Sequence, residues 1–333
     1  MRTAEFVSPK HPDKICDIIS DTILDRFLEK DIESKCAIET MGGHGKVWIS
    51  GEVSSNIEIS KEEITDIVYD ICGISDVSVN LHNQNKHLYD AVVDGKTNDQ
   101  GTVIGFAIAE NDYFMPFEYE FARQLNRYIY QYYPYDGKTQ VTINGNHARI
   151  VASFQNSKSQ HLSELIDKFF KDSSYNIASQ EFVVSEKYCN PLGEWNIGGF
   201  DSDTGLSGRK IIVDNYGPRV PTGGNSYSGK DPSKIDRFAS YMARKIAIDY
   251  LKKYRLMYSM VELSYSIGSD KPIIKRVKGN DTGVQFETGI KLYEIEGYDL
   301  SPNAIIDFLE LKKPQFAKTS EWGHFGNGFT WDI

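Results

Sequence analysis

The chain alternates between segments of helical and of strand-like hydrophobic spacing, and this alternation constrains its fold more than any other feature. In segment 12–30, apolar residues recur every three or four positions, as on one face of a helix. In segment 46–54, apolar and polar residues alternate singly, as in a strand with one buried face. A chain of 333 residues with this pattern is expected to form two or three domains of mixed α and β structure.

The same spacing predicts further elements along the chain. Pro12 suits the first position of the first helix, which places His11 at or next to its N-cap. Ser60 and Glu63 form a capping box ahead of a second helix, and the turn after 144 has a hairpin composition, Asn-Gly-Asn. Later helices are predicted over 117–132, 159–171, 231–252 and 302–311. Later strands are predicted over 76–82, 102–109, 139–144, 148–154, 211–213 and 257–267.

Two stretches interrupt this pattern. Residues 83–101 are polar and poorly periodic, and residues 185–230 are rich in Gly, Ser, Asn and Asp around one short apolar run at 211–213. Long irregular segments in a compact protein are often functional loops. We therefore expect much of the chemistry of this chain to lie in these two stretches.

Composition excludes several classes of protein. The net charge of −10 argues against general nucleic-acid binding, which needs a broad positive surface. The cysteines form no CxxC pair, so reduced thiols are expected rather than a zinc site or a disulfide scaffold. No apolar run reaches the roughly 18 residues of a membrane span, and charged residues interrupt the N-terminus where a signal core would lie. We therefore expect a cytoplasmic protein.

The first segment that suggests chemistry is His11-Pro12-Asp13-Lys14. A helix N-terminus presents free N–H groups and the positive end of the helix dipole. Asp13 in the first turn could therefore bind Mg²⁺, and His11 could donate a hydrogen bond to a substrate oxygen. The same residues are also compatible with an ordinary capped helix.

The second segment is the Gly- and Ser-rich loop 223–231, which nearly matches a nucleotide-binding P-loop from Gly224 onwards. Asp231 stands where that motif has a Ser or Thr for Mg²⁺, and Asp231-Pro232 instead indicates an N-cap followed by the first helical position. The loop still leads a lysine, Lys230, to a helix N-terminus, as polyphosphate binding requires. An ordinary glycine turn is the alternative. Charged residues continue onto the helix at Lys234 and Asp236.

The third segment, 201–210, carries Asp203 and then adjacent Arg209 and Lys210 at the start of the predicted strand. Neighbouring side chains of a strand point to opposite faces, so both cations could bind one ligand only beyond the strand end. Arg offers a planar fork for phosphate, and Lys offers a point charge. Asp203 could hold a ribose hydroxyl, an ammonium group or a metal. A charged turn is the alternative.

Two weaker candidates complete the set. Asp136-Gly137-Lys138 has the composition of a β-turn. Glu39 and Glu52 lie on or near predicted strands, and Glu52 could bind an ammonium group or face solvent. An acidic chain that gathers cations in glycine-rich loops is expected to hold an anion there. The residues alone thus indicate a metal-dependent enzyme that acts on a phosphorylated nucleotide.

Taken in order, these segments resemble the methionine adenosyltransferases, or S-adenosylmethionine synthetases. The resemblance rests on HPDKICDIISD (11–21), IET (38–40), SGEVSS (50–55), NDQG (98–101), GKTQVTI (137–143), IGGFDSDTGLSGRKIIVDNYG (197–217), SYSGKDPSKIDR (226–237), SYSIG (264–268) and GHFG (323–326). It implies an α+β fold of three interwoven domains, each a β-sheet backed by helices. It also implies a homodimer, often paired into a tetramer, with active sites between the two subunits. The domains would span residues 1–95, 96–195 and 196–333.

The resemblance also implies roles for individual residues. His11 would contact ATP near O5′, and two Mg²⁺ ions would bind at Asp13 and Asp236, with K⁺ at Glu39. The triphosphate would be held by Lys138, Arg209, Lys210 and Lys230. The other ATP-binding residues would be Asp99, Asp136, Trp195, which would stack on adenine, Asp203 and Ser226. Methionine would be bound by Glu52, Asp203, Lys234 and either Gln84 or, as the less favoured choice, Gln100.

The implied reaction is attack of the methionine sulfur on C5′ of ATP, which gives S-adenosylmethionine and a bound tripolyphosphate that is hydrolysed to pyrophosphate and phosphate. The chain departs from the family pattern in three places. Lys10 stands where a glycine is usual, residues 96–98 stand where small residues usually precede the DQG motif, and the loop between Glu52 and Asp99 is shortened.

Two other classes of function stay open. One is a kinase or NTPase built on 223–236, and the other is a regulatory subunit without activity of its own.

Overall fold

A computed structural model describes residues 1–171, 182–223, 226–282 and 289–333 of the chain. The helices are α1 Pro12–Lys30, α2 Lys61–Cys72, α3 Lys86–Val93, α4 Phe117–Tyr130, α5 Ser159–Lys171, α6 Ile211–Asp214, α7 Ile235–Tyr254, α8 Pro302–Phe308 and α9 Phe316–Trp322. The strands are β1 Arg2–Val7, β2 Lys35–Gly43, β3 Lys46–Ser54, β4 Val77–His82, β5 Gly101–Ile108, β6 Gly137–Asn144, β7 His147–Phe154, β8 Val183–Cys189, β9 Gly205–Leu206, β10 Tyr258–Tyr265, β11 Ile274–Asn280 and β12 Lys291–Tyr293. Within these ranges, no helix is long and apolar enough to cross a bilayer.

In the part of the chain that the structure describes, three four-stranded sheets form the frame. Their strand orders are β1-β6-β7-β8, β12-β11-β10-β5 and β4-β3-β2-β9. In each sheet, one strand pairs with a strand from a distant part of the chain: β1 pairs with β6, β5 with β10, and β9 with β2. The expectation of interwoven domains with a sheet in each is therefore confirmed.

Each sheet is covered by a helix. α4 packs on β1 and β6, α7 packs on β5 and β10, and α1 packs on β2. The contact between α7 and β5 is so close at Gly105 that an added Cβ atom would lie 2.0 Å from the carbonyl carbon of Ala243. Burial of each large apolar side chain at such contacts stabilises the fold by about 1.5–3 kcal/mol.

Several predicted elements are confirmed. α1 spans the predicted range, and His11 is its N-cap, since His11 Nδ1 accepts the Asp13 N–H at 3.2 Å. Ser60 Oγ accepts the Glu63 N–H at 3.1 Å, but the Glu63 carboxylate pairs with Lys30 at 2.7 Å. β6 and β7 form the predicted hairpin around Gly145, whose φ is 61°.

Two predictions near the candidate loops are wrong. Residues 211–213 form the short helix α6 rather than a strand, and the Asp214 N–H donates to the Lys210 carbonyl at 2.9 Å in the helical pattern. An apolar run of three residues fits both the helical and the strand period, so its spacing could not distinguish a helix from a strand. Asp231 is not the N-cap of α7, which begins after Lys234. The Asp231 carboxylate instead accepts the N–H groups of Ser233 and Cys36, each at 2.8 Å.

The stretch 83–101 is more regular than its sequence indicates, because it contains α3. Asn85 caps this helix by accepting the His87 N–H at 3.0 Å. Val92 is buried and Leu88, four residues earlier, is half-buried, but α3 has only eight residues, which gives periodicity little length over which to show. Thr97 ties the stretch to residues 266–269, since its N–H donates to the Ser269 carbonyl at 2.9 Å.

Candidate active site

Two loops that carry the predicted cations lie side by side against β2. The arginine loop, residues 205–210, continues from β9, and the Ser207 N–H donates to the Thr40 carbonyl at 2.9 Å. The lysine loop, residues 226–231, is held by the Ile38 N–H, which donates to the Gly229 carbonyl at 3.0 Å. Helix α1 packs on β2 and on β9. Gly224, where the P-loop match begins, lies outside the described residues.

Asp13 is the centre of a first group of charges. Its buried carboxylate accepts a hydrogen bond from Lys210 Nζ at 2.6 Å through Oδ2 and from the Leu206 N–H at 3.0 Å through Oδ1. Arg209 Nη1 lies 3.6 Å from Oδ1. Burial alone would raise the pKa of Asp13, but the hydrogen bonds from Lys210 and Leu206 lower it overall. The expectation that Arg209 and Lys210 point to opposite faces is wrong, because they precede a helical turn and reach the same carboxylate.

His11 stands beside this carboxylate with a neutral ring. Burial first, and the charge of Lys210 after it, lower its pKa to about 4. Because Nδ1 accepts the Asp13 N–H at 3.2 Å, the single ring proton is assigned to Nε2. His11 can therefore donate a hydrogen bond from Nε2 without carrying a charge.

Three further predicted residues surround the same space. Lys138 lies opposite Val7 at the end of β1, four residues before His11, and the charges of Lys138 and Asp203 both influence the pKa of His11. Lys138 Nζ also pairs with Glu5 at 2.8 Å. Asp136 Oδ2 accepts the Gly199 N–H at 3.0 Å. Burial raises the pKa of Asp136, and among the nearby charges Asp203 adds to the rise while Lys210 opposes it. We name this set the His11 group: His11, Asp13, Asp136, Lys138, Asp203, Arg209 and Lys210.

Trp195 and Ser226 lie at the edges of the His11 group. An added Cβ atom on Gly198 would stand 2.8 Å from the Trp195 ring, and the next residue, Gly199, is the one bound by Asp136. An added Cβ atom on Gly208 would stand 2.7 Å from Ser226 Cβ, so Ser226 lies against the arginine loop. Trp195 and Ser226 therefore both lie near residues of the His11 group.

A second set of predicted residues lines a cavity of about 520 Å³, which we name the Lys230 cavity. Its predicted members are Glu52, Gln84, Asp99, Lys230, Lys234 and Asp236. Lys230 forms an ion pair with Asp236, and Lys234 lies 3.1 Å from Asp231. Burial raises the pKa of Asp236, Lys230 opposes the rise, and Asp99 adds to it. Of the two candidate glutamines, Gln84 lines this cavity, whereas the Gln100 N–H donates to its neighbour Asp99 at 2.7 Å.

Glu39 lies between the two sets. Its carboxylate accepts a hydrogen bond from Ser207 Oγ of the arginine loop. Partial desolvation raises the pKa of Glu39, the Ser207 hydrogen bond and the charge of Lys230 oppose that rise, and Glu52 adds to it. The predicted residues thus converge as two neighbouring sets, with Glu39 near both.

Sequence reasoning missed the buried charges behind these sets. Lys14 Nζ donates to Asp17 Oδ2 at 3.0 Å and to Asp214 Oδ1 at 2.5 Å, and these two carboxylates hold the pKa of Lys14 well above its usual value. Arg237 pairs with Asp21. The available signal was the four-residue spacing of aspartates in α1, which places them along one side of the helix.

No group of three or more His, Cys, Asp or Glu side chains gathers into a possible metal site among the described residues. The four cysteines all lie in the described ranges and carry free thiols, as expected. The predicted metal ligands Asp13 and Asp236 are therefore single carboxylates next to cations. A metal ion at either residue would need further oxygen atoms from a ligand.

The three interwoven sheets define a protein of mixed α and β structure that carries two neighbouring sets of charged residues. Family models match the chain throughout: the S-adenosylmethionine synthetase N-terminal domain over residues 1–94, the central domain over 94–195 and the C-terminal domain over 197–333. The chain belongs to the S-adenosylmethionine synthetase family, and it is accordingly a transferase of S-adenosylmethionine biosynthesis.

Individual relatives match over nearly their whole length. The S-adenosylmethionine synthase of Salinibacter ruber is 35% identical, with 99% of this chain and 94% of that protein covered. That of Methylobacterium radiotolerans is 34% identical, with 99% and 95% covered. A solved structure, described as an unusual S-adenosylmethionine synthetase from Campylobacter jejuni, superposes with a TM-score of 0.85 at 30% identity and covers 100% of this chain and 96% of that one.

Proposed function

We propose that the chain joins ATP and methionine by in-line attack of the methionine sulfur on C5′ of the ribose. The S–C5′ bond forms as the C5′–O5′ bond breaks, the electron pair stays on O5′, and sulfur becomes a positively charged sulfonium. The observation that carries this proposal is the convergence of Lys138, Arg209 and Lys210 around neutral His11 and Asp13.

The cations would stabilise the departing triphosphate. A thioether is already nucleophilic, so the reaction needs alignment and charge stabilisation rather than a general base. One cation 4 Å from a unit anion contributes about 4 kcal/mol at an effective dielectric constant near 20, before desolvation is counted. Lys138, Arg209, Lys210 and Lys230 together could supply much of the rate enhancement. His11 would donate from Nε2 to O5′ as the bond breaks.

The remaining residues would orient the nucleoside and the amino acid. Trp195 would stack on adenine, with Asp99, Asp136 and Ser226 completing the ATP site. In the Lys230 cavity, Glu52 and Gln84 would accept hydrogen bonds from the methionine ammonium group, and Lys234 would lie at the methionine end. Asp203 would contact both substrates. The lining of charged and amide side chains beside apolar ones, and the volume of about 520 Å³, support this assignment of the cavity.

The donor set fits Mg²⁺ that is shared with substrate. Mg²⁺ in nucleotide sites is held by one or two carboxylates together with phosphate oxygens, and Asp13 and Asp236 each offer one carboxylate beside phosphate-binding cations. Two bound Mg²⁺ ions would supply additional neutralisation of the leaving triphosphate. Glu39 and its hydrogen-bonded neighbour Ser207 offer oxygen atoms to K⁺.

We further propose that two copies of the chain complete each active site, with the His11 group of one copy facing the Lys230 cavity of the other. A row of apolar side chains crosses the third sheet: Trp48 lies opposite Met41, and Met41 opposite Leu206. These three are 39%, 38% and 38% exposed in the single chain. Glu39 and Glu52 lie on the same face by strand alternation. A second copy covering this face would bury the row and meet both glutamates, and dimers could pair into a tetramer.

We also propose that the bound tripolyphosphate is hydrolysed to pyrophosphate and phosphate before release, and that the enzyme acts in the cytoplasm. The experiment that tests the whole proposal mixes purified protein with ATP, methionine, Mg²⁺ and K⁺ and identifies the products by mass. A sulfonium product with pyrophosphate and phosphate supports it. Release of ADP would indicate a kinase or NTPase, and no turnover would indicate a regulatory subunit.

A further inference from the structure

Helix α1 carries aspartates at every fourth position, and we name Asp13, Asp17, Asp21 and Asp25 the aspartate stripe. Residues four apart lie on the same side of a helix. Each of these carboxylates accepts a backbone N–H from a segment about 190 or more residues further along the chain. The donors are, in order, Leu206, Gly208, Gly229, and the three residues at the start of α9, Gln315, Phe316 and Ala317.

Asp17 holds the arginine loop. Its side chain is fully buried, and Oδ1 accepts the Gly208 N–H at 2.8 Å. The other oxygen, Oδ2, accepts from Lys14 Nζ at 3.0 Å. Gly208 immediately precedes Arg209 and Lys210, so the carboxylate fixes the backbone from which both cations extend.

Asp21 holds the lysine loop in the same way. Its buried Oδ1 accepts the Gly229 N–H at 2.8 Å, and it pairs with Arg237. Arg237 Nε in turn donates to the Lys230 carbonyl at 2.8 Å. The backbone is thus held on both sides of the Lys230 side chain.

The two loops share one local design. Gly208 and Gly229 have φ values of 74° and 80°, in the left-handed region that favours glycine. An added Cβ atom on Gly229 would lie 1.9 Å from the Ile38 carbonyl oxygen. In each loop a left-handed glycine, bound by a buried aspartate of α1, comes directly before a cation.

We propose that Asp17 and Asp21 are positioning residues: they hold the backbone of the arginine and lysine loops, so that the cations meet the triphosphate without rearranging. Groups held in place before reaction cost no reorganisation at the moment when charge develops. The kinetic part of this inference rests on the proposed function, whereas the anchoring of the loops does not. Asp25 belongs to the same stripe but contacts neither loop, and it provides a matched control.

The test measures amide hydrogen exchange of residues 205–210 and 226–231 in Asp17→Asn, Asp21→Asn and Asp25→Asn, at a temperature where circular dichroism shows each variant folded. A neutral amide is a weaker acceptor than a carboxylate. We expect Asp17→Asn to speed exchange in 205–210 at least about tenfold and to leave 226–231 unchanged, and Asp21→Asn to do the reverse. We expect Asp25→Asn to change neither segment.

Steady-state kinetics on the same variants complete the test. We expect kcat to fall at least about tenfold in Asp17→Asn and Asp21→Asn, with KM for methionine within about threefold, and kcat in Asp25→Asn to stay within about twofold. Loop-specific exchange with unchanged kcat would overturn the positioning role. Equal acceleration of both loops by any one variant would overturn separate anchoring.

Two further outcomes have to be considered: failure of a loop variant to fold, and inactivity of the wild-type chain. If either loop variant fails to fold, amide hydrogen exchange of the wild-type chain tests the anchoring instead. Protected Gly208 and Gly229 amides would support the proposed anchors, and unprotected ones would overturn them. If the wild-type chain makes no sulfonium, the proposed function fails. In that case the exchange pattern alone still supports or overturns anchoring by Asp17 and Asp21.

Discussion

Lys210 Nζ lies 2.6 Å from Asp13 Oδ2, which places a cation of the arginine loop directly on the first turn of α1. In the free chain the carboxylate neutralises part of the positive charge beside His11. In the proposed function, an arriving triphosphate would bring its own negative charge to Arg209 and Lys210 and would offer oxygen atoms for a metal ion on Asp13. The pair would then link the binding of phosphate to the binding of metal.

Lys210→Ala tests the role of this cation in charge stabilisation. We expect kcat to fall about 10²–10³-fold, the usual loss when one group that stabilises developing charge is removed. Lys210→Arg, which keeps the charge, should retain more activity than the alanine variant. The measurement is the rate of S-adenosylmethionine formation at saturating substrates, and a kcat within twofold of wild type would contradict the assignment.

Lys230→Ala separates leaving-group stabilisation from methionine binding. Lys230 pairs with Asp236 in the Lys230 cavity, and we expect kcat to fall far more than KM for methionine rises. Lys313→Ala is the control, because Lys313 is 70% exposed and pairs with Glu310 on the surface. A raised methionine KM with unchanged kcat would assign Lys230 to substrate binding instead.

Removal of divalent metal should abolish activity reversibly. Asp13 and Asp236 are single carboxylates, and their negative charges add to that of the triphosphate, so a divalent cation is needed between carboxylate and phosphate oxygens. We expect no turnover in excess EDTA and full recovery when Mg²⁺ is added back, as measured by product formation. Undiminished turnover in EDTA would refute the metal assignment.

His324 predicts a pH dependence of stability that is separate from catalysis. Burial first, and the nearby charges of Arg237 and Lys14 after it, lower the pKa of His324 well below its usual value. Below about pH 6.5 the unfolded chain binds a proton on this histidine that the folded chain does not, so its contribution to stability falls as pH decreases.

Chemical denaturation from pH 7 to 5 measures this contribution. We expect the free energy of unfolding of the wild type, relative to that of His324→Gln, to fall by about 1.4 kcal/mol per pH unit below pH 6. The exposed His82→Gln serves as the control, and its profile should follow the wild type. Parallel profiles for wild type and His324→Gln would show that His324 is not held neutral.

Local patterns predicted much of this molecule. The apolar spacing of α1, the N-cap at His11 and the hairpin around Gly145 are all short-range features, and the structure contains them. The resemblance supplied the interwoven three-domain fold. Arg209, Lys210 and Lys230 come close together because their two loops both lie against β2.

Features that depend on distant contacts could not be predicted in this way. Whether 211–213 becomes a strand or a helix depends on its surroundings, since its three apolar residues fit both periods. Asp231 has the composition of an N-cap, but its carboxylate is taken by the distant Cys36 N–H. Asp17 and Asp21 look like ordinary helix charges until the glycines that they bind are known.

Complementation between variants tests most directly whether two copies of the chain build each active site. In a mixed dimer of Lys210→Ala and Lys230→Ala chains, one site would carry both substitutions and the other would carry neither. We expect separately tagged, co-purified mixed dimers to form S-adenosylmethionine at about half the wild-type rate, although each variant alone is nearly inactive. Mixed dimers as inactive as the parent variants would contradict the shared site.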